Sequence, residues 1–139
     1  MSIYGIGSNY EGKYDKKEEF ISKGCACIGW KENDAPALYN LLRRVNIGDF
    51  IYIKSMNIPN KELLIKAVGV VTDNNITFYK DTVGSYLGNG VKVNWLWNDE
   101  KRIKISDEMY RYNVFNNTLY EEFNSDIQKL VVKLAFNLS

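Results

Sequence analysis

Two hydrophobic periods divide the chain, one typical of helices and the other typical of strands. In three segments the apolar side chains recur three and four residues apart, after a helix start signal. The first predicted helix runs from Asp15, which begins a capping pattern, to Gly24. The second begins at Asp34, and the third follows Ser125. The sequence therefore predicts three helices.

Five shorter apolar or alternating runs predict strands. VKVNWLW places alternate residues on one face, whereas LLIKAVGVV is apolar on both faces. Gly69 in the latter strand permits a bend or a close approach of two backbones. Residues 73–90 are polar and contain several glycines, which predicts a connection between these two strands. The five predicted strands cover residues 2–7, 25–30, 50–56, 63–71 and 91–97.

The order of these elements indicates an α+β fold. Two helices are inserted between the first strands, and the third helix is C-terminal. A strongly bent mixed sheet or a small β-barrel fits this order. Residues 1–139 contain no repeat, linker or low-complexity tract, and their number suits a single domain.

Composition supports a folded chain and limits what the chain can bind through charge alone. Apolar residues make up 45% of the sequence and charged residues 25%, as in globular proteins. The formal net charge is +1, from 18 basic and 17 acidic residues, so bulk charge supplies little affinity for nucleic acid. Recognition of such a ligand needs a local patch or a pocket.

The residue types also narrow the chemistry. The chain contains no histidine, which removes the Ser-His-Asp and Cys-His arrangements and any histidine acid or base. Cys25 and Cys27 are too few for a four-ligand zinc site and are expected to be small buried thiols. We therefore expect no enzymatic activity, no bound metal and no cofactor.

The hydropathy pattern predicts a protein that works away from membranes. No run of 18 apolar residues is present, and the first residues lack the basic and then apolar layout of a signal peptide. We expect a cytoplasmic protein with no membrane partner.

The stretch GIGSNYEG at residues 5–12 looks like a glycine-rich phosphate loop, but its spacing argues against one. Tyr10 stands where a dinucleotide-binding fingerprint needs its third glycine. The following Gly-Lys pair precedes Tyr14 rather than the Ser or Thr of a P-loop. The polar run Ser8–Tyr10 is therefore either a pocket wall or an ordinary polar loop.

An ordered set of short motifs resembles the PUA-like superfamily, and within it the EVE and YTH domains. YGIGSNYEG, GW and VKVNW are similar to the opening strand, the Trp after a short strand and the later V-x-V-x-W strand of YTH domains. GDFIYIKS and AVGVV are similar to the Gly-Asp turn with its strand and to the Gly-valine pair of EVE domains. The resemblance spans about residues 3–105. KENDAP departs from the asparagine-rich EVE stretch, and the basic groove of YTH domains is missing.

This resemblance implies a reader of modified bases. Such a domain accepts a flipped, modified base, here methylated cytosine or adenine, in an aromatic pocket. The resemblance favours DNA over RNA and implies the recognition module of a modification-dependent restriction or defence system. It also implies an ATPase or nuclease partner domain, with residues 1–139 as the N-terminal module of a longer protein. The implied binding residues are Ser8, Asn9, Tyr10, Trp30, Lys54, Ser55 and Trp95.

Simpler roles stay open for several of these residues. Trp30 and Trp95 can be core tryptophans with bonded indole N–H groups, and Lys54 can be a solvated lysine at a sheet edge. The near-neutral charge also suits a pocket protein that binds a free nucleotide or signal molecule, as a sequestering or anti-defence protein does. A protein-interaction module is the third possibility.

Overall fold

The computed structural model of the chain describes residues 1–57, 61–82, 84, 86–107 and 117–138. The strands form from the apolar runs of the sequence, which are rich in β-branched and aromatic residues. The strands are β1 (Ile3–Gly7), β2 (Asn9–Tyr10), β3 (Tyr14–Asp15), β4 (Cys25–Ile28), β5 (Phe50–Asn57), β6 (Glu62–Lys80), β7 (Tyr86–Lys104) and β8 (Leu119–Glu121).

Six of these strands form one strongly curled sheet in the order β4-β7-β6-β5-β1-β8. β1 runs parallel to β5, and the other neighbouring pairs are antiparallel, so the sheet is mixed. β2 and β3 form a separate two-stranded ribbon. The predicted α+β class with a strongly bent mixed sheet is therefore confirmed.

The helices lie where the sequence predicts them, with small differences at their ends. Gly24 ends the first helix in the left-handed conformation, at φ +64°. The last helix is capped by Asn124 rather than by Ser125, because the Asn124 side chain accepts hydrogen bonds from two amides of the first turn. No helix among the described residues is long and apolar enough to cross a membrane. The helices are α1 (Lys17–Lys23), α2 (Pro36–Leu42) and α3 (Ser125–Ala135).

Hydrophobic side chains cover the curled sheet on both faces. In β5, Ile51 and Ile53 belong to a first cluster, to which α1 and α2 also contribute. Phe50 and Tyr52 belong to a second cluster, which α3 covers. Because successive residues of a strand point to opposite faces, this central strand is buried on both sides.

The long hairpin of β6 and β7 is the main difference from the predicted strands. The sequence predicts a connection over residues 73–90. This prediction is wrong for residues 73–80 and 86–90, because β6 continues to Lys80 and β7 begins at Tyr86. Register shifts, for example between Val71 and Asp73, keep polar residues of this segment paired. Smaller corrections concern β4, which ends before the predicted strand end, and the short strands β2, β3 and β8, which the sequence did not indicate.

The close backbone approach predicted at Gly69 is present. A Cβ atom on Gly69 would lie 2.5 Å from Val93 Cγ1 and 2.7 Å from the carbonyl oxygen of Asn94. Glycine therefore allows β6 and β7 to stay in contact where the sheet curls.

Candidate functional site

An open cleft of about 870 Å³ lies at one end of the curled sheet. Its walls come from the C-terminal ends of β1 and β5, the β2–β3 ribbon, the residues after β4 and the first residue of β7. This volume is typical of pockets that hold a small molecule or a cofactor. The aromatic residues that line the cleft are Tyr10, Tyr14, Trp30 and Tyr86.

The glycine-rich start of the chain forms a tight hairpin turn beside the cleft. The Lys13 amide donates a hydrogen bond to the Tyr10 carbonyl at 3.0 Å. Between them, Glu11 and Gly12 have φ angles of +57° and +68°, as the two central residues of a type I′ turn do. Gly12 thus serves a turn that places the β2–β3 ribbon on the cleft.

Tyr10 is anchored from both ends of its side chain. Its hydroxyl donates a hydrogen bond of 2.6 Å to the Leu87 carbonyl, and its ring packs edge-on against Phe20 at 6.4 Å. The ring also covers Gly29, where a Cβ atom would lie 2.9 Å from it. Burial raises the pKa of Tyr10, so the hydroxyl stays protonated and keeps its bond. The ring is a fixed wall of the cleft.

Trp30 has a fixed backbone and an exposed side chain. Its carbonyl accepts a hydrogen bond of 2.8 Å from the Tyr39 hydroxyl, which in turn accepts one of 3.0 Å from Asn89 Nδ2. The residue is 56% exposed although it lines the cleft. Trp30 is therefore not the core tryptophan that the sequence left open.

Tyr14 and Tyr86 line the cleft without having been indicated by the sequence. Tyr14 is 57% exposed and follows the type I′ turn, so its position beside a Gly-containing turn is the signal that could have indicated it. Tyr86 lies in the segment that was expected to be a connection, and only the pairing of β6 with β7 brings it to the cleft.

Lys54 is a buried cation of the cleft. It is only 8% exposed, and its Nζ lies 5.7 Å from the ring centroid of Tyr120. Burial, with repulsion from Lys66 as a smaller cause, lowers the pKa of Lys54 to about 8. Lys54 is thus not the solvated edge lysine that the sequence allowed, and an anionic ligand in the cleft would favour its charged form.

Ser8 and Asp15 form a polar support beneath the cleft. The Ser8 hydroxyl and Lys66 Nζ donate hydrogen bonds of 2.7 and 2.8 Å to the two carboxylate oxygens of Asp15. Partial burial opposes ionisation of Asp15, but these bonds and one from the Lys17 amide outweigh it and lower its pKa. Asp15 belongs to β3 rather than starting the helix, which corrects its predicted role.

Five of the seven predicted site residues line one cleft, and two do not. Ser8 is fully buried and bonded to Asp15. Trp95 is partly buried against the first cluster, and its indole N–H donates a hydrogen bond of 3.0 Å to the Phe20 carbonyl. The structure brings together Asn9, Tyr10, Trp30, Lys54 and Ser55.

This arrangement suits non-covalent recognition of a planar, polar group. Aromatic rings offer stacking faces, while Asn9, Ser55 and Thr118 add polar side chains to the lining. Among the described residues, no group of three or more His, Cys, Asp or Glu side chains could hold a metal ion. Cys25 and Cys27 are buried free thiols, as predicted.

Comparison with known proteins adds information on the fold. No family model and no curated protein matches the chain. A structural-genomics protein from Agrobacterium tumefaciens is similar over 97% of this chain and 95% of its own, with a TM-score of 0.56 and 11% identity. A second, from Rhodopseudomonas palustris, covers 100% and 96%, with a TM-score of 0.49 and 13% identity. At 11% identity, the first likeness shows a shared fold alone.

Proposed function

We propose that the chain is a PUA-like reader that binds a flipped, modified base of nucleic acid in the cleft. The observation that supports it most is that the exposed Trp30 and the anchored ring of Tyr10 line the same cleft. A base has two apolar faces and polar edges. The rings of Trp30 and Tyr10 supply stacking partners for the faces, and Asn9 and Ser55 supply hydrogen-bonding partners for an edge.

The free-energy cost of flipping a base has to be offset by contacts within the cleft. Flipping a base out of a stack costs a few kcal/mol, and stacking on an aromatic side chain offsets roughly 1–3 kcal/mol of that. A buried methyl group adds about 0.8 kcal/mol. With a net charge of +1, the chain gains little from non-specific attraction to phosphates, so discrimination has to come from a few residues of the cleft.

The polar residues divide into two roles in this proposal. Asn9 and Ser55 bond the edge of the base, because an unpaired buried polar group of the base would cost about 1–3 kcal/mol. Lys54, which also lines the cleft, contacts the adjoining phosphate, whereas Lys16 Nζ is already paired with the buried Asp81 at 3.4 Å.

Fluorescence anisotropy with labelled single-stranded oligonucleotides tests the proposal. Each carries one N6-methyladenine, one 5-methylcytosine or the matching unmodified base. We expect one modified strand to bind more tightly than its unmodified twin, with a shallow dependence on salt. Trp30→Ala should weaken this binding by about ten- to a hundredfold, as loss of a stacking partner does.

One further variant is the matched control, and another tests how the edge of the base is recognised. Phe123 is 74% exposed and does not line the cleft, so Phe123→Ala should leave affinity unchanged. Asn9→Ala should narrow the gap between modified and unmodified strands, since its amide reads the base edge. Equal affinity for all strands, with no effect of Trp30→Ala, would rule the proposal out.

A free modified nucleotide is the second candidate ligand. The near-neutral charge favours it, because a polymer binder commonly carries a basic surface. Competition by nucleoside 5′-monophosphates against the labelled strand measures this directly.

The resemblance to EVE and YTH domains also supports a proposal about the biological system in which the chain acts. In it, the chain is the recognition module of a modification-dependent restriction or defence system in the cytoplasm and performs no catalysis itself. DNA is the expected substrate, and an ATPase or nuclease is the expected partner. A coding sequence for such an enzyme fused to or beside this one supports this setting, and cleavage of nucleic acid by the pure chain contradicts it.

A further inference from the structure

An exposed aromatic pair extends from the rim of the cleft onto the β6–β7 hairpin. Tyr86 lines the cleft, and its ring centroid lies 5.3 Å from that of Phe78, with an angle of 43° between the rings. Phe78 is 47% exposed and lines neither the cleft nor the two hydrophobic clusters. Its neighbours Ile76 and Tyr79, in contrast, pack against the first cluster. The packing of the core therefore does not account for Phe78.

Tyr39 fixes the backbone of Trp30, which lines the same cleft as Tyr86. The Tyr39 hydroxyl donates to the Trp30 carbonyl at 2.8 Å. Burial, with electrostatic repulsion from Tyr39 as a smaller cause, raises the pKa of Tyr86, so its hydroxyl stays protonated. Trp30 and Tyr86 line the same cleft, and Tyr86 packs against Phe78, so exposed aromatic side chains extend from the cleft onto the β6–β7 hairpin.

Cationic side chains accompany these rings. Lys80 pairs with Tyr86 in the register of β6 and β7 and is exposed. Lys31 directly follows Trp30 and is also exposed. Exposed aromatic rings with lysines beside them are the features with which proteins hold single-stranded nucleic acid, since bases stack on the rings and phosphates meet the cations.

We propose that Phe78 and Tyr86 stack the nucleotide that adjoins the flipped base, so that the ligand is a single-stranded segment and not a free nucleotide. This inference rests on the proposed function, because it takes the modified base to occupy the cleft. The pair contacts a base through its π-face, so it accepts any base at this position and adds affinity without adding sequence preference.

A length series of ligands tests the inference. The ligands are the modified nucleoside 5′-monophosphate, the two dinucleotides with the modified base at either end, and the trinucleotide with it in the centre. Each competes against the labelled strand on the full chain. We expect one dinucleotide and the trinucleotide to bind about ten- to a hundredfold more tightly than the monophosphate.

Substitutions at Phe78 test whether its ring is the source of this gain in affinity over the monophosphate. Phe78→Leu should abolish the gain and leave the monophosphate unaffected, whereas Phe78→Trp should retain it. Phe123→Leu is the matched exposed control and should change nothing. Because Phe78 is exposed, circular dichroism melts should show that these variants stay folded.

The outcomes separate this inference from the proposed function. If the monophosphate binds and neither dinucleotide binds more tightly, the stacking role is wrong while the base-binding cleft stands. A gain that survives Phe78→Leu also makes the stacking role wrong and leaves the cleft standing. If no modified ligand of any length binds, the proposed function fails and the stacking role fails with it.

Discussion

Tyrosines fill two regions of this molecule in opposite ways. In the second cluster, the hydroxyls of Tyr52 and Tyr120 lie 2.7 Å apart, and the Tyr52 hydroxyl donates a 2.7 Å bond to the buried Glu122. At the cleft, the hydroxyls of Tyr10 and Tyr39 bond to main-chain carbonyls instead. The first arrangement closes a core, whereas the second fixes rings and backbone around an open space. The number of tyrosines alone therefore says little about recognition.

Lys54 lies between the two regions. Its ammonium group is over the ring of Tyr120, yet its side chain lines the cleft. Glu122 is a buried carboxyl group of the closed region and Lys54 a buried ammonium group of the open one, and their environments predict opposite responses to pH.

Removal of the Tyr120 ring should have the largest effect on stability. Tyr120→Ala is expected to lower the free energy of unfolding by about 3–5 kcal/mol, as truncation of large buried aromatic residues does. Tyr14→Ala, at the exposed side of the cleft, should change it by about 0.5 kcal/mol or less. Urea denaturation followed by circular dichroism measures both. Should Tyr120→Ala not fold, Tyr120→Phe removes only the hydroxyl and should cost about 1 kcal/mol. Equal losses for Tyr120→Ala and Tyr14→Ala would contradict the comparison.

Glu122→Gln should have a smaller effect that depends on pH. Burial raises the pKa of Glu122, although bonds from Tyr52 and the Asn124 amide oppose this. The folded state therefore holds the proton more tightly than the unfolded state. The stability that Glu122 contributes is full below its ordinary pKa of 4.5 and is lost as pH rises through the raised value. Unfolding measured from pH 4 to pH 8 should show this loss in the wild type and not in Glu122→Gln; parallel curves would contradict it.

Lys54 should give an effect of opposite sign. Because its folded pKa is about 8, below the ordinary 10.5, stability should rise with pH between these values. Ligand affinity should fall instead, by up to about tenfold between pH 7 and pH 9, as the ammonium group that contacts the phosphate loses its proton. Lys54→Met should remove both the rise of stability with pH and the fall of ligand affinity with pH. An affinity that stays constant over this range in the wild type would exclude Lys54 from phosphate contact.

Local patterns in the sequence were sufficient for most of the fold. Apolar periodicity and Gly24 located the helices, and alternating or continuous apolar runs located the central strands. The extent of β6 and β7 was missed because their paired polar residues carry no hydrophobic period and depend on register shifts that only the partner strand defines. β8 is three residues long, too short for any periodic signal.

The candidate site was only partly predictable for a related reason. Trp30 and Trp95 both belong to strand-like runs, and the sequence cannot tell which indole N–H meets a carbonyl. The structure bonds that of Trp95 to Phe20 and leaves Trp30 exposed. Ser8 was attributed to the cleft with its neighbours, but Asp15 holds it beneath the surface. Whether each of these side chains is buried or lines the cleft depends on contacts between segments that are distant in the sequence.

The two ends of the six-stranded sheet bear on the risk of aggregation. An edge strand exposes unpaired N–H and C=O groups that can template pairing with another chain. Here β4 and β8 form the edges and are four and three residues long, while the nineteen-residue strands β6 and β7 lie inside the sheet. β6 and β7 pair with each other along most of their length, but among the described residues β5 pairs with the other side of β6 only at residues 62–70, and β4 pairs with the other side of β7 only at residues 89–92. The outer part of this hairpin, rather than the short terminal strands, is therefore where a second chain would find unpaired backbone.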